Sequence, residues 1–323
     1  MKKCLAIASA IVLLTSAGYG GVRAAGITSS PARASVTITY GFWDKNQAPA
    51  LQQIANAFHR AHPEITVKQQ VTPFAEYWTK LQTAATGGSL PDVFWMNGPN
   101  FLLYASNGIL MPLSDNIKKD KVSLSNYPSS LVKLYSYQGK VYALPKDFDT
   151  IGLWYNKTLF RAAHVKFPDA TWTWKTLMAA ARKLTNKSKG VWGIAAQNAN
   201  QEGYYNTIPE NGGYVITANH KKSGYDTPNT IGGLKFWTDM IKAGVSPTNA
   251  QMTETTPISM LESGKIAMLY GGSWNAIEFN SNSYTKNRVD VAVLPKRSRL
   301  NGLCSQTMIP SRSHCSRMYS LSG

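Results

Sequence analysis

Along most of the chain, segments with the hydrophobic spacing of a strand alternate with segments that have the spacing of a helix. Residues 36–40 alternate β-branched and polar side chains, which is typical of a strand, and Leu51, Ile54 and Phe58 then recur on one face of a helix. Further strands are predicted at residues 65–71, 92–96, 151–155, 191–196, 266–269 and 289–294, with helical patterns between most of them. Because strands that alternate with helices build a sheet covered by helices, the sequence predicts an α/β fold.

An extended segment that ends in proline divides this pattern into two halves. Residues 141–145 read Val-Tyr-Ala-Leu-Pro, which favours a connector over a helix. A chain of 323 residues is long enough for two domains that each bury a core of their own. We therefore predict an N-terminal α/β lobe over residues 36–148 (lobe I) and a C-terminal α/β lobe over residues 149–296 (lobe II).

The N-terminus has the pattern of an export signal. Lys2 and Lys3 precede an apolar run over residues 5–14, and the small residues around Arg23 suit signal peptidase. Residues 1–24 are predicted to be a signal peptide, and residues 25–35 a polar linker. Tyr19 stands where a lipoprotein signal would carry its lipidated cysteine, so we expect no lipid anchor. The expected location is outside the cytoplasm, either periplasmic or associated with the cell envelope.

The composition changes abruptly after Lys296. Residues 297–323 contain seven serines, four arginines, two cysteines and no acidic residue, and they show neither helical nor strand periodicity. We expect this segment to be an unstructured tail, or to be sequence that does not belong to the fold. The sequence leaves open whether its two cysteines, Cys304 and Cys315, form a disulfide.

The formal charge of +17 raises the question of a nucleic-acid partner. Seven of the 34 basic residues and none of the 17 acidic ones lie in the signal and the tail, which leaves +10 for the body. The lysines of the body are scattered, apart from short clusters such as Lys118-Lys119. We therefore expect a solvated basic surface that faces an anionic envelope, and no nucleic-acid partner.

Four stretches of sequence resemble the extracellular sugar-binding proteins of bacterial ABC transporters, the family of maltose-binding protein. They read FHRAHPEITV at residues 58–67, YWTKLQTAATGGSLPDVFWMN at 77–97, GKVYALPKDFDTIGLWYNKTLF at 139–160 and LESGKIAMLYGGSW at 261–274. The resemblance covers residues 36–296. It implies a two-lobed, periplasmic-binding-protein-like fold of type II, in which each lobe is a mostly parallel sheet flanked by helices.

The same resemblance implies a function. A mono- or oligosaccharide would be captured in a cleft between the lobes, which close by a hinge motion, and would be delivered to ABC transporter permease subunits. It also implies no catalysis and no cofactor. We separately expect a monomer and no metal site.

The chain departs from the family pattern at two places. Lys175 and Thr176 replace the acidic residues that usually follow the threonine cap of a helix, so we expect a weaker cap. Family members also continue past Lys296 with elements that are not recognisable in residues 297–323. We therefore expect a truncation or frameshift there, missing C-terminal elements and low stability, since buried apolar area is the main folding term.

A saccharide site needs hydrogen-bonding groups for the hydroxyls and a flat aromatic surface for the C–H face of the ring. Trp274 is the strongest candidate, because it follows a predicted strand at its carboxyl end, where α/β folds bind ligands. The resemblance places a stacking aromatic residue there and a ligand-binding acid at Asp149, with Asp147 as its neighbour. The alternative roles are a core tryptophan and a hinge-capping carboxylate.

Five further candidates follow predicted strands or lie in a polar loop: Trp43, Asp44, Asn97, Tyr204 and Tyr205. For each, a surface or packing role is an equally good interpretation. Asp92 is interpreted as structural. Four tryptophans are interpreted as core residues: Trp172, Trp174, Trp192 and Trp237.

Two other function classes remain open. A carbohydrate-active hydrolase would need two opposed carboxylates, and Asp147 and Asp149 lie too close together on one connector to suit that arrangement. A related two-lobed protein could instead bind a polyamine, iron or a phosphate compound. Nine tryptophans and only 17 acidic residues favour a sugar over a cation. The sequence does not identify the sugar.

Overall fold

A computed structural model describes residues 35–219 and 221–298 of the chain. The chain divides into two compact units, with the boundary between Trp95 and Met96. The lobe boundaries inferred from the sequence, 36–148 and 149–296, stay a prediction. Within the described ranges, none of the helices is both long enough and apolar enough to cross a membrane.

The first unit is a parallel α/β layer. Its elements are β1 (Val36–Phe42), α1 (Ala48–Ala61), β2 (Ile65–Val71), α2 (Phe74–Thr86) and β3 (Val93–Phe94). The sheet has the order β2-β1-β3, and both pairings of β1 are parallel. Phe42, Tyr77 and Leu81 are buried in this unit. The succession of strands and helices predicted here from hydrophobic spacing is confirmed.

Strand β3 is shorter than the predicted strand over residues 92–96. The carboxylate of Asp92 accepts hydrogen bonds from the backbone N–H of Thr39 (2.8 Å) and from its hydroxyl (2.7 Å). These hydrogen bonds lower the pKa of Asp92, because they stabilise its charged form. Asp92 thus joins the start of β3 to β1, which confirms its structural interpretation.

The second unit contains three helices and a hairpin before its main sheet. These elements are α3 (Gly98–Ser106), α4 (Ser114–Lys119), α5 (Ser129–Leu134), β4 (Ser136–Tyr137) and β5 (Lys140–Val141). The remaining elements are β6 (Ile151–Asn156), α6 (Lys157–Ala162), α7 (Trp174–Leu184), α8 (Tyr205–Glu210), α9 (Pro228–Lys242), α10 (Asn249–Glu254), α11 (Pro257–Glu262), β7 (Met268–Gly272), α12 (Asn275–Ser281) and β8 (Val289–Ala292).

The main sheet of this unit has the order β7-β6-β8, and β6 runs antiparallel to both neighbours. The expected parallel pairing therefore holds in the first unit, whereas the named strands of the second pair antiparallel. More than a hundred residues of chain separate β6 from β7. Since no short βαβ connection joins them, nothing fixes their relative direction locally.

The predicted strand over residues 191–196 is wrong as a regular strand, although the segment lies beside the sheet. Trp192 and Ala195 form isolated parallel bridges with Ile266 and Leu269. Between the bridges the backbone N–H of Gly193 donates to the hydroxyl of Thr185 (3.0 Å) instead of a neighbouring strand. A side-chain oxygen thus accepts a hydrogen bond that a neighbouring strand would accept in a regular sheet.

Helix α7 begins with a complete capping box, although its first turn contains no acidic residue, as the sequence predicts. The side chain of Thr173 accepts from the N–H of Thr176 (3.3 Å), and the hydroxyl of Thr176 accepts from the N–H of Thr173 (2.6 Å). A threonine thus takes the position that the capping box usually gives to Glu or Gln. Leu177 and Ala181 of this helix are fully buried in the core of the unit.

Several predictions concern residues outside the described ranges. They are the signal peptide at residues 1–24, residues 25–34 of the linker predicted over 25–35, the question of a lipid at Tyr19, residues 299–323 of the tail predicted over 297–323 and the pairing of Cys304 with Cys315.

Candidate functional site

The first unit presents a group of aromatic rings around Trp43. Trp43 directly follows β1, and its ring centroid lies 5.1 Å from that of Tyr77 and 5.0 Å from that of Trp95, both edge-on. Phe74 and Trp78 lie 5.6 and 5.7 Å from it. We call these five residues the aromatic cluster. Tyr77 and Trp95 are buried, whereas Phe74 is about half exposed, so the cluster extends from the core to the surface.

Phe74 and Trp78 were not predicted as candidates. They are four residues apart on α2 and therefore occupy the same face of the helix. This spacing is the feature of the sequence that could have identified them.

Asp44 has a local structural role at the start of α1. Its carboxylate accepts from the N–H of Asn46 (2.9 Å) and from the side-chain amide of Gln47 (2.8 Å). Asn97 has a comparable role at α3, because its side-chain oxygen accepts from both the backbone (3.2 Å) and the side chain (2.8 Å) of Asn100. Asn97 therefore caps α3, whereas Asp44 stabilises the turn before α1, and a ligand contact at either residue stays a prediction.

Trp274 lies directly beyond β7, as the sequence predicted. Its half-buried indole crosses Gly272, where a Cβ atom would come within 2.1–2.2 Å of three ring carbons. Glycine is therefore required for the indole to take this position. The indole thus lies against the backbone at the end of β7.

Asp149 and Trp274 are joined through Ser273. The hydroxyl of Ser273 lies 3.4 Å from the carboxylate oxygen of Asp149, and its backbone N–H donates to the carbonyl of Thr150 (2.9 Å). The structure thus brings an exposed carboxylate and a half-buried indole to adjoining positions at one end of the β6–β7 pair.

Asp147, by contrast, forms an ion pair with Lys146. Tyr135 lies close enough to be affected by both carboxylates. Burial raises the pKa of Tyr135 to about 12, and the negative charges of Asp147 and Asp149 add to the shift. Its hydroxyl donates to the carbonyl of Met96 (3.3 Å). Sequence reasoning missed this tyrosine, since nothing in its local pattern indicates proximity to residues 147–149.

Tyr204 and Tyr205 belong to a second aromatic group. They lie where a π-helical turn (Asn200–Tyr204) meets α8, and their rings contact edge-on at 5.2 Å. The ring of Tyr225 lies 6.4 Å from that of Tyr204. Burial raises the pKa of Tyr225 above its ordinary value, and nearby Tyr205 and Tyr204 raise it further. The structure thus adds Tyr225 to the two predicted tyrosines.

Trp174 and Trp192 are half-buried, whereas Trp172 and Trp237 are core residues as predicted. The indole N–H of Trp174 donates to a carboxylate oxygen of Glu210 (2.8 Å). Burial raises the pKa of Glu210 to about 7, and the hydrogen bond from Trp174 opposes that shift. The hydroxyl of Tyr270 is buried without a hydrogen-bond partner among the described residues, and the charge of Glu210 contributes to its raised pKa.

Glu210 should make stability depend on pH. Its folded pKa of about 7 lies above the usual 4.5 for glutamate, so its contribution to stability is complete below the unfolded pKa and declines as pH rises to about 7. One pKa unit corresponds to about 1.4 kcal/mol. We expect Glu210→Gln to stabilise the protein by about 1–2 kcal/mol at pH 8 and to change little at pH 4.5, as measured by denaturant unfolding.

The matched control is Glu254→Gln, which changes an exposed carboxylate at the end of α10. If the free energy of unfolding depended on pH equally in wild type and Glu210→Gln, the raised pKa of Glu210 would be contradicted.

Among residues 35–219 and 221–298, His, Cys, Asp and Glu side chains form no group of three or more that could hold a metal ion. At one end of the β6–β7 pair the structure brings a carboxylate into contact with a serine hydroxyl of the residue before Trp274.

Comparison with solved structures identifies the fold. An ABC substrate-binding protein of Listeria monocytogenes, solved with cycloalternan, is 31% identical with a TM-score of 0.75, over 82% of this chain and 68% of that one. The GacH receptor of Streptomyces glaucescens, solved unliganded and with acarbose, is 25% identical with a TM-score of 0.70, over 81% and 67%. The type II periplasmic-binding-protein fold predicted from the sequence is confirmed by these neighbours.

Curated relatives extend beyond the length of this chain. The galactooligosaccharide-binding protein of Bacillus subtilis is 26% identical over 293 residues, which is 87% of this chain and 65% of the relative. A binding protein of Brucella abortus is 24% identical over 254 residues, or 77% of this chain and 60% of the relative. The chain thus spans about 60–65% of the length of these relatives.

The model of the bacterial extracellular solute-binding proteins matches residues 44–297. This range includes most of the first unit and the described second unit up to Arg297. The chain belongs to the family of bacterial extracellular solute-binding proteins.

Proposed function

We propose that the protein binds a mono- or oligosaccharide outside the cytoplasm and delivers it to the permease of an ABC transporter. The observation that carries this proposal is the pair formed by Trp274 and Asp149 at one end of the β6–β7 pair. The indole crosses Gly272, and Ser273 contacts the carboxylate of Asp149. An aromatic face next to a hydrogen-bond acceptor matches the two kinds of surface on a sugar ring.

The other aromatic groups support a carbohydrate ligand. In the first unit, Trp43 belongs to the aromatic cluster, whose Phe74 and Trp78 lie toward the surface. In the second unit, the phenols of Tyr204 and Tyr205 offer both ring faces and hydroxyl groups. We propose that Trp43, Tyr204 and Tyr205 are saccharide-binding residues. A charged ligand would instead call for a concentration of opposite charges.

Ligands of the structural neighbours also support a sugar. The Listeria protein was solved with cycloalternan, and a Thermotoga lettingae solute-binding protein, 25% identical to this chain, was solved with α-D-tagatose. These proteins bind saccharides of very different size, so the likeness does not select one sugar.

We further propose that the protein acts as a monomer without a cofactor and without catalysis. The family is one of binding proteins. Asp147 is paired with Lys146, while Asp149 contacts Ser273, so neither carboxylate is arranged as an acid or base opposite the other. Capture of the sugar between two lobes stays a prediction.

Isothermal titration calorimetry with a panel of saccharides tests the proposal. The mature chain should bind at least one mono- or oligosaccharide, and the panel should include polyamines, ferric iron and phosphate compounds as competing ligand classes. Each glycoside that binds should be recovered unchanged after incubation, as measured by chromatography. Binding confined to a non-sugar compound, or hydrolysis of a bound glycoside, would refute the proposal.

A further inference from the structure

Ser273 directly precedes Trp274 in the chain, and its hydroxyl contacts the carboxylate of Asp149. We propose that Ser273 is a positioning residue that fixes the carboxylate of Asp149 at the strand end that carries Trp274 before the ligand arrives. This inference rests on the proposed function and adds to it a residue that determines affinity without having to touch the sugar.

The contacts of Ser273 reach two successive residues of the segment before β6. Its backbone N–H donates to the carbonyl of Thr150 (2.9 Å). Its hydroxyl donates toward the Oδ1 atom of Asp149 and accepts from the N–H of Thr150, each at 3.4 Å. A serine hydroxyl has one donor and two acceptor sites, so it can make both contacts at once.

The hydroxyl is not needed to start the neighbouring helix. Helix α12 follows immediately, but its N-cap is Trp274 and no side chain caps it. The backbone carbonyl of Ser273 accepts from Ala276 (3.1 Å), and this bond does not involve the hydroxyl. The serine side chain is therefore directed to residues 149–150, and loss of the hydroxyl should leave α12 intact.

Asp149 lies in a segment where a contact that restrains its side chain should influence binding. The carboxylate is exposed, and residues 142–150 form neither helix nor strand. Ordering one mobile side chain on binding costs about 0.5–1.5 kcal/mol. A contact that orders Asp149 in the free protein removes part of that cost. The strand pairing of Ile151 with Gly272 holds the backbone in place independently of the hydroxyl.

The first test is Ser273→Ala, measured by calorimetry with a saccharide that wild type binds. We expect the Kd to rise about fivefold to tenfold, with the melting temperature of the free protein changed by less than about 2 °C. Ser273→Thr keeps the hydroxyl and should restore most of the affinity. The matched control is Ser281→Ala, which removes an exposed hydroxyl that contacts only its own helix in the bonds described, at the carbonyl of Ile277 (2.7 Å).

A double-mutant cycle separates positioning from a general structural role. If Ser273 acts through Asp149, then Ser273→Ala should cause little further loss in an Asp149→Ala background. Equal losses in both backgrounds would overturn the proposal, as would a wild-type Kd in Ser273→Ala.

A measurement without ligand keeps this inference distinct from the proposed function. Ser273→Ala should speed hydrogen exchange at the amide of Thr150 severalfold while leaving the Ile151 amide unchanged. If wild type binds no saccharide, the proposed function fails, whatever the exchange data show. If wild type binds a saccharide but Thr150 exchange and the Kd are unaffected, the positioning role fails and the proposed function stands.

Discussion

Replacing Trp274 with alanine is expected to weaken saccharide binding by about thirtyfold or more, because a central aromatic contact is worth about 2 kcal/mol or more. The indole is half-buried and crosses the backbone of Gly272, so it presents a fixed flat surface. Calorimetry with a saccharide that wild type binds measures the loss. Trp274→Phe should retain part of the affinity, since it keeps a smaller flat ring.

Ile277→Ala provides the matched control for this variant. Ile277 lies on α12, close to Trp274 in sequence, and its side chain is 61% exposed. Its removal should leave the Kd within about twofold of wild type. A wild-type Kd for Trp274→Ala would remove the tryptophan from the binding site.

Replacing Gly193 with alanine is expected to destabilise the second unit by about 3 kcal/mol. A Cβ atom at this position would lie 2.1 Å from the carbonyl oxygen of Ala181 and 2.5 Å from its Cα atom. Both are backbone atoms of α7, so the helix or the segment must shift. Thermal unfolding should show a melting temperature lowered by about 6–12 °C.

Gly98→Ala is the control, because its new Cβ atom would meet the methyl groups of Leu134 at 3.3 Å and 3.5 Å, the far end of a flexible side chain. We expect a change of less than about 1 kcal/mol there. If Gly193→Ala unfolded at the wild-type temperature, the close approach of residues 191–196 to α7 would be incorrect.

The secondary structure was predictable where the spacing of hydrophobic residues alone determines it. Residues 36–40 and 65–71 alternate strongly, and both strands form with the parallel pairing expected of a βαβ unit. The antiparallel direction of β6 was not predictable, because its partners lie far away in sequence. Residues 191–196 look like a buried strand, but the hydroxyls of Thr185 and Ser246 take two of the backbone N–H groups.

The candidate site was predictable in part. Trp274 was placed at the end of a strand from Gly271-Gly272, and β7 does end at Gly272. The contact between Ser273 and Asp149 joins residues 124 positions apart, so no local pattern contains it. Tyr225 joins Tyr204 in the same way, through tertiary packing. Asn97 and Asp44 show the reverse case, since Asn97 caps the start of α3 and Asp44 stabilises the turn before α1.

A crystal structure of the protein with a saccharide identified by calorimetry tests the central claim most directly. The account predicts that one sugar ring packs its C–H face on the indole of Trp274, with the carboxylate of Asp149 within hydrogen-bond distance of a hydroxyl. A saccharide bound away from β7, with the indole of Trp274 uncovered, would contradict it.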